Sequence, residues 1–153
     1  MSIAYIALGS NLGDKEKNLR RALMLLMQQG IDVEKVSSFI STEPYGVTDQ
    51  PQFLNAVCRV RTSLAPLELL DVLLATELAM GRVRLRHWGE RNIDLDLLLY
   101  ENVVMDEPRL RLPHPDMQNR DFVLLPLAEI GPELVHPTLK KTIRELKDSL
   151  LSK

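Results

Sequence analysis

Residues 81–99, GRVRLRHWGERNIDLDLLL, divide into a charged loop and a strand, and this strand completes the predicted sheet. The loop, Gly81 to Arg91, holds four arginines, one histidine and the only tryptophan of the chain: Arg82, Arg84, Arg86, Arg91, His87 and Trp88. Ile93 to Leu99 alternates in the manner of a β-strand. One face would carry Ile93, Leu95, Leu97 and Leu99, and the other Asp94, Asp96 and Leu98. The pattern predicts two carboxylates on one strand face, directly after an arginine-rich loop.

The two parts of this stretch have complementary chemistry. Two residues along a strand span about 6.6 Å, so Asp94 and Asp96 lie within reach of one cluster of cations. An arginine-lined loop attracts anions, and a metal–polyphosphate complex such as Mg-ATP satisfies both parts at once. The alternative is a half-exposed strand beside a solvated charged loop, and this stretch alone does not decide between the two.

The rest of the chain predicts a fold in which this strand is the sixth element. The preceding elements are a central strand Ile3–Leu8, a helix Lys15–Gln29 capped by Asp14, a weak edge strand Ile31–Thr42, a strand Phe53–Thr62, and a helix from Pro66 to about Met80. The order β-α-β-β-α-β is that of a ferredoxin-like α+β sandwich with an antiparallel sheet. Such a fold does not by itself indicate an activity.

Additional elements follow the sixth one. We expect two short extended pieces near Val103-Val104 and Arg109–Leu112, which form an extra hairpin. We also expect helix over part of Asp116–Ile130 and a final amphipathic helix Thr138–Leu150. These additions predict helices on the second face of the sheet, in α-β-α layers. With 153 residues, we expect one domain over residues 1–153.

Composition excludes several classes of function. The net charge of −2 argues against a nucleic-acid-binding protein with a basic surface. The single cysteine, Cys58, excludes an internal disulfide and a Cys-rich metal site. We find no apolar run of transmembrane length and no basic segment typical of a secretion signal. The expectation is a cytoplasmic protein without membrane or nucleic-acid partners.

Three other positions are candidates for function. Phe53 and Asn55 share one face of their strand, where an aromatic ring and an amide can bind a flat heterocycle, although an ordinary cross-strand pair remains the alternative. Glu77 interrupts the predicted apolar stripe of its helix, Leu70, Leu73, Leu74 and Met80. A buried glutamate is rare unless it is paired or functional. His114 stands between two prolines as a ligand contact or a structural hydrogen-bonding residue.

Several separated motifs occur in a characteristic order. They are AYIALGSNLGD (residues 4–14), SSFISTEPYG (37–46), QPQFLNAV (50–57), ELAMGRVR (77–84), WGERNIDLDLLLY (88–100) and LPHPDMQNRDFVLLPLAEIGPELVHP (112–137). With these motifs the chain resembles, from end to end, the 6-hydroxymethyl-7,8-dihydropterin pyrophosphokinases of folate biosynthesis. The resemblance implies transfer of the diphosphate of ATP to the pterin hydroxymethyl group, release of AMP, two Mg²⁺ ions that arrive largely with ATP, and a monomeric enzyme.

The resemblance also implies a role for individual residues. The catalytic residues would be Arg82, Arg91, Asp94 and Asp96, of which Asp94 and Asp96 are the metal ligands. The pterin would be held by Thr42, Tyr45, Phe53, Asn55, Trp88 and Phe122, with Trp88 in a lid over the site. ATP would be bound by Glu77, Arg82, Arg84, Arg91, Leu97, Arg109, Arg111, His114 and Arg120.

The chain differs from many relatives at a few positions. His87 precedes Trp88 where many have arginine, Leu74 replaces a glutamine that contacts ATP in some, and Pro115 replaces a tyrosine. These differences concern nucleotide affinity and lid closure rather than the reaction. Two other functions compete with the kinase: a ferredoxin-like RNA-binding module, which would need a basic face with exposed aromatics, and a two-metal nuclease or nucleotide hydrolase built on Asp94 and Asp96.

Overall fold

An antiparallel sheet of five strands forms the centre of the protein, in a computed structural model that describes residues 1–42, 52–81 and 92–152. The strands are β1 (Ser2–Ser10), β2 (Asp32–Val36), β3 (Ile40–Thr42), β4 (Phe53–Thr62) and β5 (Asp94–Tyr100). Their order is β2-β4-β1-β5, and β3 pairs with the first part of β4. The ferredoxin-like arrangement is confirmed, with the apolar strand β1 at its centre.

The predicted edge strand over residues 31–42 is wrong in one respect, because the structure divides it into β2 and β3. The division occurs at Ser37, which is 5% exposed. Its backbone N–H donates to Val57 O at 2.9 Å, and its Oγ accepts from Val57 N, also at 2.9 Å. A side-chain hydroxyl thus replaces a backbone carbonyl in the ladder, and this local hydrogen bonding interrupts regular pairing.

Helices cover both faces of the sheet. On one face lie α1 (Lys15–Gln28) and α2 (Pro66–Ala79), which share a core with Ile6, Leu8, Cys58 and Leu95. On the other face lie α3 (Asp121–Ile130) and α4 (Ile143–Leu151), which pack on Tyr5, Val57 and Leu98. The predicted α-β-α layers are therefore confirmed. In the described part of the chain, no helix combines the length and the apolar character that crossing a membrane requires.

The predicted extra hairpin is formed by β6 (Met105–Asp106) and β7 (Arg111–Leu112). After β7, the backbone N–H of His114 donates to Leu98 O at 2.9 Å, which holds this segment against the outer edge of β5. A short 3₁₀ turn, Met117–Asn119, leads into α3. This path places the segment around His114 beside the strand that carries Asp94 and Asp96.

The inward face of α2 differs from the predicted one. The predicted stripe included Leu70 and Leu74, but the buried residues are Leu69, Leu73, Thr76 and Glu77, and Leu74 is 43% exposed. Leucines occur around the whole circumference of this helix, so its apolar pattern does not define a single face. The position that appeared to break the stripe, Glu77, is in fact central to the buried side.

The last helix begins at Ile143 rather than Thr138, because Thr142 caps it and forms a reciprocal capping box with Glu145. The preceding turn is organised by His136, which is 2% exposed. Its Nδ1 accepts from the backbone N–H groups of Leu139 at 3.0 Å and Thr138 at 3.3 Å. Because Nδ1 accepts, the folded protein holds this imidazole in its neutral form.

Stability should decrease as the pH falls below about 6.5, in part because of His136. Burial lowers its pKa from the ordinary 6.5, so this side chain takes up its proton more readily in the unfolded chain. The contribution of neutral His136 to the free energy of unfolding is complete above pH 6.5. It is lost as the pH falls from there toward the lower pKa of the folded state. Urea unfolding of the wild type and His136→Asn between pH 5 and 8 measures this, since asparagine Oδ1 can replace Nδ1 as acceptor. A pH dependence equally steep in both proteins would contradict the assignment.

Candidate active site

The register of the sheet places the candidate heterocycle-binding residues and the candidate metal ligands in one row across the strands. Gly9 of β1 pairs with Asn55 of β4 on one side and with Asp94 of β5 on the other. One step along β1 on the same face, Ala7 pairs with Asp96. Neighbouring strands are about 4.8 Å apart, so the Asn55 and Asp94 backbones lie about 10 Å from each other. The row thus joins the residues expected to bind a heterocycle to those expected to bind a metal.

The Asn55 end of the row carries a buried amide in a fixed orientation. Asn55 is 6% exposed, and its Nδ2 donates to Thr42 Oγ1 at 2.6 Å. This bond sets the orientation of the amide and directs Oδ1 toward Gly9. Phe53 is half-buried two residues before Asn55 on the same strand face. An oriented amide, a hydroxyl and a ring can together bind the edge and face of a flat polar heterocycle.

The other end of the row carries the two carboxylates. Asp94 and Asp96 are both half-buried, and alternate positions of β5 place them on the same face. Within residues 1–42, 52–81 and 92–152, no group of three or more His, Cys, Asp or Glu side chains is arranged to hold a metal. Two hard oxygen donors on one face fit Mg²⁺, which favours one or two carboxylates together with phosphate oxygens and water.

Glu77 reaches this strand from the opposite face. It is 4% exposed on α2, and its Oε2 accepts from the backbone N–H of Leu95 at 2.8 Å. Leu95 lies between Asp94 and Asp96, and β5 forms one end of the sheet. The carboxylate therefore satisfies a donor at the open edge of β5 and fixes the backbone from which both candidate metal ligands project.

The segment after the hairpin adds a cationic side to the site. Burial, and secondarily the charge of Arg120, lowers the pKa of His114 from its ordinary value, while Asp116 and Asp94 act in the opposite direction. Nδ1 of His114 accepts from the backbone N–H of Asp116 at 3.2 Å. The neutral ring therefore carries its proton on Nε2, where it can donate to an anion. The Arg120 guanidinium lies over the ring of Phe122, 5.6 Å from its centroid.

Three predicted nucleotide contacts lie further along β5 and the hairpin. Arg109 forms an ion pair with Asp71 of α2, and Arg111 pairs with Asp106 at 3.2 Å. Arg111 and His114 both line a cavity of about 310 Å³ beside the hairpin. The Leu97 side chain is 4% exposed in the core beneath α2, so a contact with nucleotide would involve its backbone.

The structure thus brings part of the predicted site together. The residues placed around β1, β3, β4, β5 and the segment after the hairpin are Thr42, Phe53, Asn55, Asp94, Asp96, His114, Arg120 and Phe122. The predicted residues Tyr45, Arg82, Arg84, Trp88 and Arg91, together with Arg86 and His87, lie outside the described residues. Sequence reasoning missed Gly9, because the predicted first strand ended at Leu8 and so did not include the position between Asn55 and Asp94.

Comparison with known proteins indicates one family. The sequence model of 7,8-dihydro-6-hydroxymethylpterin-pyrophosphokinase (HPPK) matches residues 5–132. The 2-amino-4-hydroxy-6-hydroxymethyldihydropteridine pyrophosphokinase of Haemophilus influenzae is 49% identical over 138 residues, which are 90% of this chain and 86% of that protein. The enzyme of the same name from Bacillus subtilis is 50% identical over 130 residues, covering 84% of this chain and 78% of the relative.

Solved structures support the fold. A crystal structure of Plasmodium falciparum HPPK-DHPS with pteroate matches with a TM-score of 0.79 at 17% identity, over 99% of this chain. The match covers 42% of that longer chain, so this protein corresponds to less than half of it. At this identity the likeness shows a shared fold only.

Proposed function

The chain belongs to the 7,8-dihydro-6-hydroxymethylpterin-pyrophosphokinase family, and we infer from this membership that it transfers diphosphate from ATP to 6-hydroxymethyl-7,8-dihydropterin in folate biosynthesis. The products are the pterin diphosphate and AMP. The observation that supports this most strongly is the row formed by Asn55, Gly9 and Asp94. It sets the residues proposed to bind the heterocycle about two strand spacings from a pair of carboxylates suited to a metal-bound polyphosphate.

We assign the pterin to the Asn55 end of the row. The Asn55 amide and Thr42 hydroxyl would bind the polar edge of the ring, and Phe53 and Phe122 would stack on its two faces. Tyr45 and Trp88 remain proposed pterin contacts from the family resemblance. This orientation directs the hydroxymethyl group across β1 toward Asp94, where the phosphate must be held.

We assign the triphosphate to the space between β5 and residues 113–122. The Nε2–H of His114 and the guanidinium of Arg120 would donate to phosphate oxygens, and backbone groups near Leu97 with Arg109 and Arg111 would contact the nucleoside. Arg82, Arg84 and Arg91 remain proposed nucleotide or phosphate contacts from the resemblance, whereas Glu77, for which the resemblance also implies an ATP contact, is proposed here to act through the backbone N–H of Leu95. Asp94 and Asp96 would hold two Mg²⁺ ions, which neutralise phosphate charge and orient the diphosphate when bound.

The mechanism then depends on position and charge. Asn55 and the two aromatic rings hold the pterin hydroxyl in line with the β-phosphorus and opposite the AMP oxygen that leaves. His114, Arg120, Arg82 and Arg91 stabilise charge on the transferred group and on the departing AMP. Asp94 or Asp96 would accept the hydroxyl proton. We propose direct in-line transfer, without a covalent intermediate on the protein.

The proposal is tested by incubating the protein with ATP and Mg²⁺, with and without the pterin, and separating nucleotides by anion-exchange chromatography. We expect AMP to form only when the pterin is present. AMP or ADP formed without pterin would instead favour the hydrolase function that two carboxylates can also support.

Truncation of Phe53 or Phe122 to alanine should weaken pterin binding and leave ATP binding nearly intact. Loss of one stacked ring removes about 1–3 kcal/mol, or roughly 5- to 150-fold in affinity. Calorimetric titration of each ligand measures this, with Phe39→Ala as the matched control because its ring packs against Arg20 of α1. Equal losses for both ligands would indicate a folding defect and contradict the proposed sandwich.

We also propose that residues 1–153 form one domain and act as a cytoplasmic monomer without membrane or nucleic-acid partners. The five-stranded sheet that both core layers share supports one domain, and the net charge of −2 argues against a nucleic-acid partner. Sedimentation velocity measures the oligomeric state.

A further inference from the structure

The side chains on the site-facing surface of β1 decrease in size toward the site. Tyr5 packs in the core beneath α3 and α4, Ala7 packs beside it, and Gly9 comes last. The flanking strands show no such decrease, because β4 has Val57 and Asn55 opposite these positions and β5 has Asp96 and Asp94. At the centre of the row, Gly9 is buried and contributes backbone alone.

The backbone conformation of Gly9 does not require glycine. The glycines with positive φ in the described residues are Gly13, Gly30 and Gly81, whereas Gly9 lies in a regular strand paired on both sides. Glycine weakens a strand interior relative to alanine and often marks a place where a ligand approaches the backbone closely. The reason for glycine at position 9 must therefore lie in the space above it.

Two residues proposed to bind the pterin, Asn55 and Phe53, limit the space beside the Gly9 backbone. A Cβ atom at Gly9 would lie 3.0 Å from Asn55 Oδ1 and 3.6 Å from a ring carbon of Phe53. The first distance is shorter than an ordinary van der Waals contact, so the amide would have to move. The bond from Asn55 Nδ2 to Thr42 Oγ1 opposes that movement. A methyl group at this position would disturb the amide orientation and also contact the ring of Phe53.

We propose that Gly9 is a positioning residue for the pterin, an inference that rests on the proposed function. The absent side chain lets the Asn55 amide and the Phe53 ring pack close to the backbone of β1. It thereby keeps Asn55 Oδ1 in the position from which it can accept from the pterin, whose hydroxymethyl arm is directed to Asp94. Gly9 therefore acts through the positions of Asn55 and Phe53.

The substitution Gly9→Ala tests this because it should preserve the fold while changing the site. Alanine is more favourable than glycine in a strand interior, which offsets the cost of displacing the Asn55 amide, so the midpoint of urea unfolding should change little. We expect the Kd for the pterin to rise about tenfold, the scale of one misplaced hydrogen bond. The Kd for α,β-methylene ATP, in which the bond to be broken is replaced, should stay within about twofold of wild type. In turnover, KM for the pterin should rise and KM for ATP should not.

Gly131→Ala is the matched control. Gly131 follows α3 away from the row, and a Cβ there would lie 2.5 Å from Leu134 Cδ1. This substitution should lower stability or leave it unchanged, and the pterin Kd should remain that of wild type. The two variants thus separate an effect on the site from an effect on the fold.

A double-mutant cycle identifies the contact responsible. In an Asn55→Ala background Oδ1 is absent, so adding Gly9→Ala should raise the pterin Kd far less than it does in the wild type. Equal factors in both backgrounds would overturn the role through Asn55. A pterin Kd for Gly9→Ala within twofold of wild type, or equal losses of both ligands, would overturn the inference altogether. Failure of the wild type to bind pterin would instead refute the proposed function.

Discussion

Asp96→Asn should lower the single-turnover rate by about two to four orders of magnitude and leave the fold intact. Metal-mediated charge stabilisation contributes several kcal/mol to such transition states, and about 1.4 kcal/mol corresponds to tenfold in rate. Asparagine keeps the shape of the side chain but removes one negative charge. Because Asp94 and Asp96 share one face of β5, we expect Asp94→Asn to behave in the same way. Rapid-quench measurement across a magnesium titration tests both.

The double variant of Asp94 and Asp96 should lose little more than the worse single variant, since residues that act as one unit are not additive. Asp148→Asn on α4 is the control, because it makes the same chemical change at an exposed position in another layer. Circular dichroism verifies folding in every variant. A well-folded Asp96→Asn protein with a near-normal rate and an unchanged magnesium midpoint would refute the metal site.

Glu77→Ala should have the next largest effect, because it removes the acceptor for the Leu95 N–H between the two carboxylates. An unsatisfied buried donor costs about 1–3 kcal/mol of unfolding free energy. Groups that orient metal ligands typically contribute about 10- to 100-fold to metal affinity or activity. We therefore expect the magnesium midpoint for turnover to rise by about that factor. Glu77→Gln should retain most activity, since its amide oxygen can accept the same hydrogen bond.

Leu73→Ala on the same helix is the matched control for Glu77. Leu73 is 1% exposed in the core, and its truncation should cost about 2–5 kcal/mol of stability without moving the magnesium midpoint. If Glu77→Gln were as impaired as Glu77→Ala, the negative charge rather than the hydrogen bond would be essential. If Glu77→Gln lowered ATP affinity at saturating magnesium, a direct contact between Glu77 and nucleotide would explain the effect better.

Much of the fold could be predicted because local signals agree with the tertiary structure. The continuous apolar run of β1 indicated a central strand, and the strict alternation of β4 placed Phe53 and Asn55 on one face. Asp14 caps α1 as predicted, with its side chain accepting from Lys17 N. In these elements, periodicity and capping chemistry each favour one conformation.

Other features depend on contacts that are distant in sequence. The division of β2 from β3 arises from the Ser37–Val57 hydrogen bonds, and the buried face of α2 is set by Leu95 as partner for Glu77. The row through Gly9 follows from the register of three strands, which the sequence of any single strand does not reveal. The motif resemblance supplied residue roles, whereas the register supplied the reason why Gly9 matters.

The central claim is that the β- and γ-phosphates of ATP move as one unit to the pterin hydroxyl. Phosphorus NMR of a reaction with Mg²⁺, ATP and 6-hydroxymethyl-7,8-dihydropterin tests it most directly, because it identifies every phosphorus-containing product. We predict two coupled resonances of an ester diphosphate and one resonance of AMP, in equal amounts. ADP, inorganic phosphate or inorganic pyrophosphate as the main product would contradict the claim.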